Sequence, residues 1–353
     1  MKIITKYIKL MIKMPLLRGP LVLDGSMATT LINAGCDYIE DDPLWSSRAL
    51  LKDPKKWKNL FKNYNIYFCL MNFELEYVTE FECILFYSSF LKVGADIVQT
   101  NTYQACISRL QDVLGISIRE SYEIVEYAAS LARRSIEHFI EDNGRNINEY
   151  YVAGSVGPYA VSLCDGSEYS GRYIQDTAVS EIRKYYHDQF CAMTMARVDF
   201  LALETMPSLT EAKIALEVLS EYNHPPCWVS FSCKDEYRTN YGDLFSDVVY
   251  EISRCPGVTA VGINCTKPDF ISGLLKQARN VLMPFVVYPN SGRWTRATGW
   301  VEPPYYSKPI GERVQEWIEL GARIIGGCCG VSPLQLAEVS KSVKGPLVQN
   351  CPF

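Results

Sequence analysis

The sequence predicts an α/β protein that folds as a single (β/α)8 barrel, the TIM-barrel architecture. Short runs rich in β-branched residues end in Gly, Asn, Thr or Pro and recur along the chain. Amphipathic stretches separate these runs, and such alternation is typical of βαβ units and a parallel sheet. A chain of 353 residues with 48% hydrophobic residues can form one barrel or two smaller domains. The eight strand-like runs favour the single barrel.

The predicted strands cover residues 21–25, 96–103, 151–158, 200–207, 228–233, 260–266, 285–292 and 323–330. The predicted helices cover residues 118–140, 177–197, 209–222, 244–254, 270–281, 310–320 and 333–343. We therefore predict a barrel domain over residues 19–348, preceded by an N-terminal extension over residues 1–18.

One segment breaks the pattern. Residues 63–87 lie between the helix expected after Trp57 and the approach to the second strand, and they are rich in Phe, Tyr, Cys and Glu without a clear period. We interpret this segment as an atypical insertion in the first βα unit. An irregular excursion, or a segment not native to the working protein, fits the sequence equally well.

The charge balance argues against a nucleic-acid or membrane partner. The charged fraction is 21% and the formal net charge is -5, so no general basic surface is expected. Small-molecule substrates are the better default. The N-terminal apolar runs between Lys2, Lys6, Lys9 and Lys13 are too short for a signal peptide or a membrane span.

The cysteine content points to a reducing compartment. The chain has 13 cysteines, an odd number in a long sequence, which is unlike the disulfide framework of a small secreted protein. We therefore expect a cytoplasmic protein in which most cysteines are buried thiols.

Active sites of (β/α)8 barrels lie where the strands end and the βα loops begin. The polar residues at the predicted strand ends should therefore cluster. They are Asp24, Asn101, Tyr103, Ser155, Glu204, Ser232, Asn264, Cys265, Asn290, Cys328 and Cys329.

Three of the cysteines form a candidate metal site. Cys265 closes the sixth predicted strand, and the adjacent Cys328 and Cys329 close the eighth. Both strands flank the seventh, so the three thiols lie within reach of one ion. Three thiolate ligands with an open fourth position are typical of catalytic zinc. Burial as ordinary core thiols remains the alternative, although Gly326, Gly327 and Gly330 leave room for a ligand.

Nine segments carry a resemblance to a known family. They are Leu-Asp-Gly-Ser-Met-Ala-Thr (23–29), Asp-Pro-Leu-Trp-Ser (42–46), Gly-Ala-Asp-Ile-Val-Gln-Thr-Asn-Thr-Tyr-Gln-Ala (94–105), Gly-Ser-Val-Gly-Pro-Tyr (154–159), Asp-Gly-Ser-Glu-Tyr (165–169), Glu-Thr-Met-Pro (204–207), Val-Gly-Ile-Asn-Cys-Thr (261–266), Tyr-Pro-Asn-Ser-Gly (288–292) and Gly-Gly-Cys-Cys-Gly (326–330). In this order they resemble the homocysteine S-methyltransferases.

The resemblance implies a (β/α)8 barrel that holds Zn²⁺ on Cys265, Cys328 and Cys329. It also implies that Asp24 and Glu204 bind the amino group of homocysteine, the methyl acceptor. The sequence looks most similar to the branch that makes methionine with a sulfonium donor, S-methylmethionine or S-adenosylmethionine. The oligomeric state is left open.

Two substitutions depart from the family pattern. Thr30 stands where an acidic or amide residue is common, and Arg293 stands where Glu commonly follows Tyr-Pro-Asn-Ser-Gly. A guanidinium near the donor would disfavour a cation. A catalytically impaired, zinc-binding relative of the family is therefore the alternative function.

The expected chemistry needs a thiolate nucleophile and no acid. Zinc removes the proton of a bound thiol, and a sulfonium donor leaves as a neutral thioether. The histidines, His138, His187 and His224, lie away from the predicted strand ends. Four aromatic residues near the strand ends are candidates either to face the sulfonium charge or to pack under the loops. They are Trp45, Tyr103, Tyr159 and Trp294.

Overall fold

Eight parallel strands form one sheet in the computed structural model, and helices cover its outer face. The structure describes residues 19–33, 44, 47, 78–295, 299–301 and 307–345. The barrel strands are β1 (Leu21–Val22), β2 (Ile97–Gln99), β3 (Tyr151–Val156), β4 (Phe200–Met206), β5 (Cys227–Phe231), β6 (Val258–Asn264), β7 (Phe285–Tyr288) and β10 (Ala322–Ile325). An antiparallel hairpin of β8 (Arg293–Thr295) and β9 (Gly299–Val301) follows β7.

The helices alternate with the strands, as a parallel barrel requires. They are α1 (Met27–Asn33), α2 (Val78–Lys92), α3 (Ile107–Leu114), α4 (Ile118–Asn143), α5 (Ala160–Leu163), α6 (Val179–Met195), α7 (Leu209–Leu219), α8 (Phe245–Ile252), α9 (Pro268–Ala278), α10 (Val314–Glu319) and α11 (Pro333–Lys344). Short 3-10 helices cover Ile147–Glu149, Ser167–Tyr169, Arg172–Gln175 and Ile310–Arg313.

Local sequence signals fix where α4 and α11 begin. The Ser117 hydroxyl oxygen accepts a hydrogen bond from the Glu120 amide, and the Glu120 carboxylate accepts one from the Ser117 amide, so α4 starts with a capping box. Ser332 and Gln335 make the same exchange at the start of α11. Each box satisfies amides that the helix itself leaves unpaired.

The sheet closes where β1 meets β2. The strand order runs β1, β10, β7, β6, β5, β4, β3, β2, and each neighbouring pair is parallel. A parallel bridge between Leu23 and Ile97 joins the two ends. The Asp24 amide donates to the Ile97 carbonyl at 3.0 Å, which continues the seam by one residue. Closure leaves no open edge among the eight described barrel strands.

Two apolar layers hold the barrel. An outer layer lies between the sheet and the helices, and a smaller cluster fills the interior. The interior cluster comprises Leu23, Ile97, Ala153, Phe200, Ala202, Trp228, Ala260, Val286, Tyr288 and Ile324. Small alanines face large aromatic rings there, which lets side chains from opposite strands interdigitate.

The predicted fold class is confirmed, and the differences lie in the connections. The predicted elements did not include α1, α2, α3, α5 or the hairpin of β8 and β9. The second strand was predicted to reach residue 103, whereas β2 ends at Gln99. Residues 100–105 instead form a turn in which the Ala105 amide donates to the Thr102 carbonyl. Polar β-branched residues also favour turns of this kind, so composition alone did not mark the strand end.

The predicted insertion falls partly on described residues. Residues 78–87 belong to α2, whose Tyr87, Phe90 and Leu91 are buried in the outer layer. Residues 63–77 and the predicted extension over residues 1–18 lie outside the described residues. Both domain assignments stay predictions. Within the described ranges, each helix is either too short or too polar to cross a bilayer.

The packing of β6 against β7 yields a stability prediction. A Cβ atom at Gly262 would overlap the backbone of Val286 on the paired strand, where nothing can move aside. We expect Gly262→Ala to lower the free energy of unfolding by about 3 kcal/mol or to prevent folding. Thermal unfolding followed by circular dichroism measures this loss.

Gly154→Ala is the matched control, since Gly154 also lies within a barrel strand. Its added Cβ would meet the Met193 sulfur at 2.8 Å and a Val198 methyl group at 3.0 Å, which are side-chain atoms that can shift more easily than backbone. The loss should be clearly smaller than for Gly262→Ala. Equal losses for the two variants would contradict the steric account.

Candidate active site at the barrel mouth

Three cysteine thiols meet at the carboxyl ends of β6 and β10. The Sγ atoms of Cys265 and Cys328 lie 2.9 Å apart, and Cys329 Sγ lies 3.8 Å from Cys265 Sγ and 3.9 Å from Cys328 Sγ. All three are free and half-buried. Sulfur atoms about 2.3 Å from a tetrahedral zinc lie about 3.8 Å from one another. Two of the three separations therefore match such a site.

The backbone bends sharply to aim all three thiols at one point. Cys265 has a φ of 47°, in the left-handed region that non-glycine residues rarely adopt. After β10 the chain passes through Gly327, where a Cβ would overlap Val331. The Cys328 amide donates to the Pro289 carbonyl at 2.8 Å, and the Cys329 carbonyl accepts from the Ser291 amide at 2.8 Å. The strand has become a loop, so adjacent cysteines face one site.

The cluster favours ionisation of one thiol. Hydrogen bonds from Cys265 and then Cys329 lower the pKa of the Cys328 thiol well below its usual value. Among the described residues, these three form the group of His, Cys, Asp and Glu side chains close enough to hold an ion. The arrangement can hold a metal that prefers sulfur ligands.

A buried carboxylate lies on the neighbouring strands. Glu204, 6% exposed at the end of β4, accepts hydrogen bonds from the Ser155 hydroxyl and from Gln99 Nε2, the latter at 3.1 Å. Tyr288 also hydrogen-bonds it. Burial raises the pKa of Glu204 to about 7, and negative charge at Cys328 adds to the effect. These partners fix the carboxylate without neutralising it.

Asp24 provides a second buried carboxylate at the barrel seam. Its Oδ2 accepts a hydrogen bond from the backbone amide of Gln99 at 2.9 Å. Its Oδ1 is buried and has no hydrogen-bond partner in the described part of the chain. Burial raises the pKa of Asp24 well above its usual value, and the nearby Glu204 charge contributes. A buried acceptor without a donor is costly, which marks this oxygen as a place for a ligand donor.

The βα loop after β3 folds across the mouth. Ser232, at the end of β5, donates a hydrogen bond to the Glu168 carbonyl at 3.3 Å. The Tyr169 hydroxyl lies close enough to Cys265 for negative charge there to raise its pKa, and the residue is 49% exposed. Tyr103 packs over Gly157. This loop and the β2 end together form the rim of the site.

The family model for homocysteine S-methyltransferase matches residues 21–343 of this chain. The chain belongs to the homocysteine S-methyltransferase family. It is 31% identical over 335 residues to homocysteine S-methyltransferase 1 of Brassica oleracea var. italica, with 92% of this chain and 94% of that protein covered. The betaine-homocysteine S-methyltransferase of Drosophila melanogaster is 30% identical over 347 residues, with coverages of 92% and 94%.

A solved structure supports the same assignment. The metallated form of the homocysteine methyltransferase MmuM from Escherichia coli has a TM-score of 0.74 and 28% sequence identity, and it covers 94% of this chain and 98% of its own. The predictions of family and of methyltransferase activity class are therefore confirmed. The homology extends over nearly the whole barrel.

In this family member, the polar and aromatic residues predicted for the site do not all face one point. Glu204, Asp24 and the three cysteines converge with Ser155, whereas the Tyr159 ring packs against Tyr173 and Tyr185, with centroids 5.8 and 5.7 Å apart, on the helix side. Trp45 and the Trp294 and Arg293 side chains lie outside the described residues. His138 and His187 lie within α4 and α6, and His224 precedes β5, as expected.

Gln99 and Tyr288 both contact Glu204, and neither was predicted as a site residue. A signal for them existed. Side chains alternate along a strand, and Ile97 and Val286 face the barrel interior, so the residues two positions later face it as well. A polar residue at an inward position near a strand end indicates a site contact.

Proposed function

We propose that this enzyme transfers a methyl group from a sulfonium donor, S-methylmethionine or S-adenosylmethionine, to the thiol of homocysteine, producing methionine. The observation that carries the proposal is the buried Asp24 Oδ1, which has no hydrogen-bond partner among the described residues and lies at the same barrel mouth as three clustered thiols. An acceptor with an ammonium group and a thiol complements both halves. The plant, insect and bacterial relatives are all named for methyl transfer to homocysteine.

The donor set fits zinc. Three thiolates, with two of their three separations near a tetrahedral edge, suit Zn²⁺ better than magnesium or calcium, which prefer oxygen ligands. Cys265, Cys328 and Cys329 would hold the ion. When bound, zinc supplies a lowered thiol pKa, so that the acceptor sulfur is nucleophilic at neutral pH.

The carboxylates then select and orient the acceptor. Asp24 and Glu204 are both desolvated, and no described lysine or arginine forms an ion pair with either. An incoming ammonium would stabilise their ionised forms and donate to Asp24 Oδ1. Fixing the amino group fixes the carbon chain, which presents the sulfur to the donor in a reactive geometry.

The donor needs no proton from the protein. A sulfonium loses its methyl group and leaves as a neutral thioether, so the site requires neither a histidine nor another general acid. This agrees with the positions of the histidines in helices and in the loop before β5. Tyr103 and Tyr169 at the rim are positioned to meet a cationic donor with an aromatic ring or a hydroxyl.

The metal site makes the first prediction of this proposal. Protein purified under reducing conditions should contain about one zinc ion per chain by elemental analysis, and Cys265→Ser should lose it because a tetrahedral site tolerates few ligand losses. Cys233→Ser is the control, since Cys233 is a buried thiol just beyond β5 and outside the cluster. Zinc retained at full occupancy in Cys265→Ser would refute the ligand assignment.

Methionine formation from homocysteine is the direct test of function. We expect turnover with S-methylmethionine or S-adenosylmethionine, measured by chromatography of the product, with betaine as the comparison donor. Turnover with betaine alone would show that the donor class is wrong. Zinc-loaded protein without turnover on any donor would favour the catalytically impaired relative, the alternative that Arg293 raises.

The carboxylate assignment predicts a selective defect. Asp24→Asn should raise the homocysteine KM about tenfold to a hundredfold, because it places an amide donor against the ammonium. The desamino thiol 4-mercaptobutanoate should be methylated with little change. Asp96→Asn is the matched control, since Asp96 also accepts a backbone bond, from Val22 at 2.8 Å, but lies before β2 at the other end of the strand. A general loss with both acceptors would assign Asp24 a purely structural role.

A further inference from the structure

Strand β4 contains one extra residue at its carboxyl end. Leu203 pairs with Val229 of β5, and the next pair is Met206 with Phe231. Three steps along β4 therefore match two along β5, which defines a β-bulge at Glu204 and Thr205. Bulges of this kind change the direction in which following side chains point.

The bulge turns two successive side chains to the same side of the sheet. Leu203 and Met206 both lie in the outer layer, and Tyr186 of α6 donates a hydrogen bond to the Met206 sulfur at 3.5 Å. Regular alternation would place Thr205 on that outer side. Because of the extra residue, Glu204 and Thr205 instead both face the barrel mouth.

The Asn264 side chain holds the bulge in place. Thr205 has a φ of 60°, which is unfavourable for a β-branched residue. Asn264 Oδ1 accepts from the Thr205 amide at 2.8 Å, and Asn264 Nδ2 donates to Thr205 Oγ1 at 2.8 Å. Asn264 is fully buried, and Thr205 is 1% exposed. Two short hydrogen bonds with one side-chain amide hold the backbone turn that follows Glu204.

The same amide touches the thiol half of the site. Asn264 immediately precedes Cys265, and its Nδ2 lies 4.0 Å from Cys328 Sγ. On the other side, the Thr205 side chain hydrogen-bonds the Tyr103 hydroxyl at the rim. One buried side chain therefore joins the end of β4, which carries Glu204, to the end of β6 and the loop after β10.

From this geometry we infer that Asn264 and Thr205 are positioning residues for the methyl transfer. They set the separation between the carboxylate that binds the acceptor amino group and the thiols beside the acceptor sulfur. The inference rests on the proposed function. Neither residue contacts the reacting atoms, so their effect should appear only with an acceptor that uses both halves.

The test compares two acceptors on three proteins. Thr205→Val keeps the shape and the β-branch but removes the Oγ1 acceptor, and Thr205→Ser restores the hydroxyl. We expect Thr205→Val to lower kcat/KM for homocysteine about tenfold, because it removes the hydrogen bonds that Thr205 Oγ1 makes with Asn264 Nδ2 and with the Tyr103 hydroxyl. For 4-mercaptobutanoate, which lacks the amino group, the change should stay below about twofold. Thr205→Ser should recover most of the loss.

Two further measurements separate positioning from damage to the site. Zinc content should be unchanged in Thr205→Val, and calorimetry should show a higher dissociation constant for homocysteine but not for 4-mercaptobutanoate. Asn264→Asp serves as the second variant, because it keeps the acceptor for the Thr205 amide and removes the donor. Asn264→Asp should also lower kcat/KM for homocysteine more than for 4-mercaptobutanoate.

The outcomes distinguish the two proposals. A wild-type protein that shows no preference for homocysteine over 4-mercaptobutanoate overturns the proposed function and this inference with it. If the wild-type protein has that preference, two results overturn the positioning inference alone. Either Thr205→Val keeps full activity with homocysteine, or it loses activity equally with both acceptors.

Discussion

Closure of the barrel at Asp24 is the interaction on which the rest of the site depends. The Asp24 amide donates to Ile97, its carboxylate accepts from the Gln99 amide, and its carbonyl accepts from the Gly327 amide at 3.0 Å. One residue thus connects β1 to β2 and to the loop that carries Cys328. The seam that closes the sheet also aligns the acidic and thiol halves of the mouth. A shift at this seam would move both halves.

The chemistry of the mouth is dominated by acidic groups. Two buried carboxylates and three thiols converge there, and burial raises the pKa of both Asp24 and Glu204. Desolvated acidic groups without cationic partners reduce stability, but they create a strong preference for cations. A metal ion, an amino-acid ammonium and a sulfonium are all cations. The same unfavourable burial therefore explains why the three proposed ligands share one site.

Backbone strain accompanies this arrangement. Thr205 and Cys265 both have positive φ values, of 60° and 47°, at the ends of β4 and β6. Such conformations cost of order 1–3 kcal/mol each and persist only where the surroundings enforce them. Asn264 contacts Thr205 and adjoins Cys265, so a single buried amide supports both strained positions. The helix layer and the barrel interior supply the stability that offsets this cost.

The sequence by itself determined the barrel, the family and the grouping of Cys265, Cys328 and Cys329. Hydrophobic periodicity reports which residues form strands, and the order of motifs along the chain reports the family. Only the tertiary structure decided that Gln99 and Tyr288 contact Glu204, that Tyr159 packs on the helix side, and that Thr205 faces inward. These features depend on strand register and on one extra residue in β4. Register arises from pairing between distant segments, which periodicity within a single strand does not record.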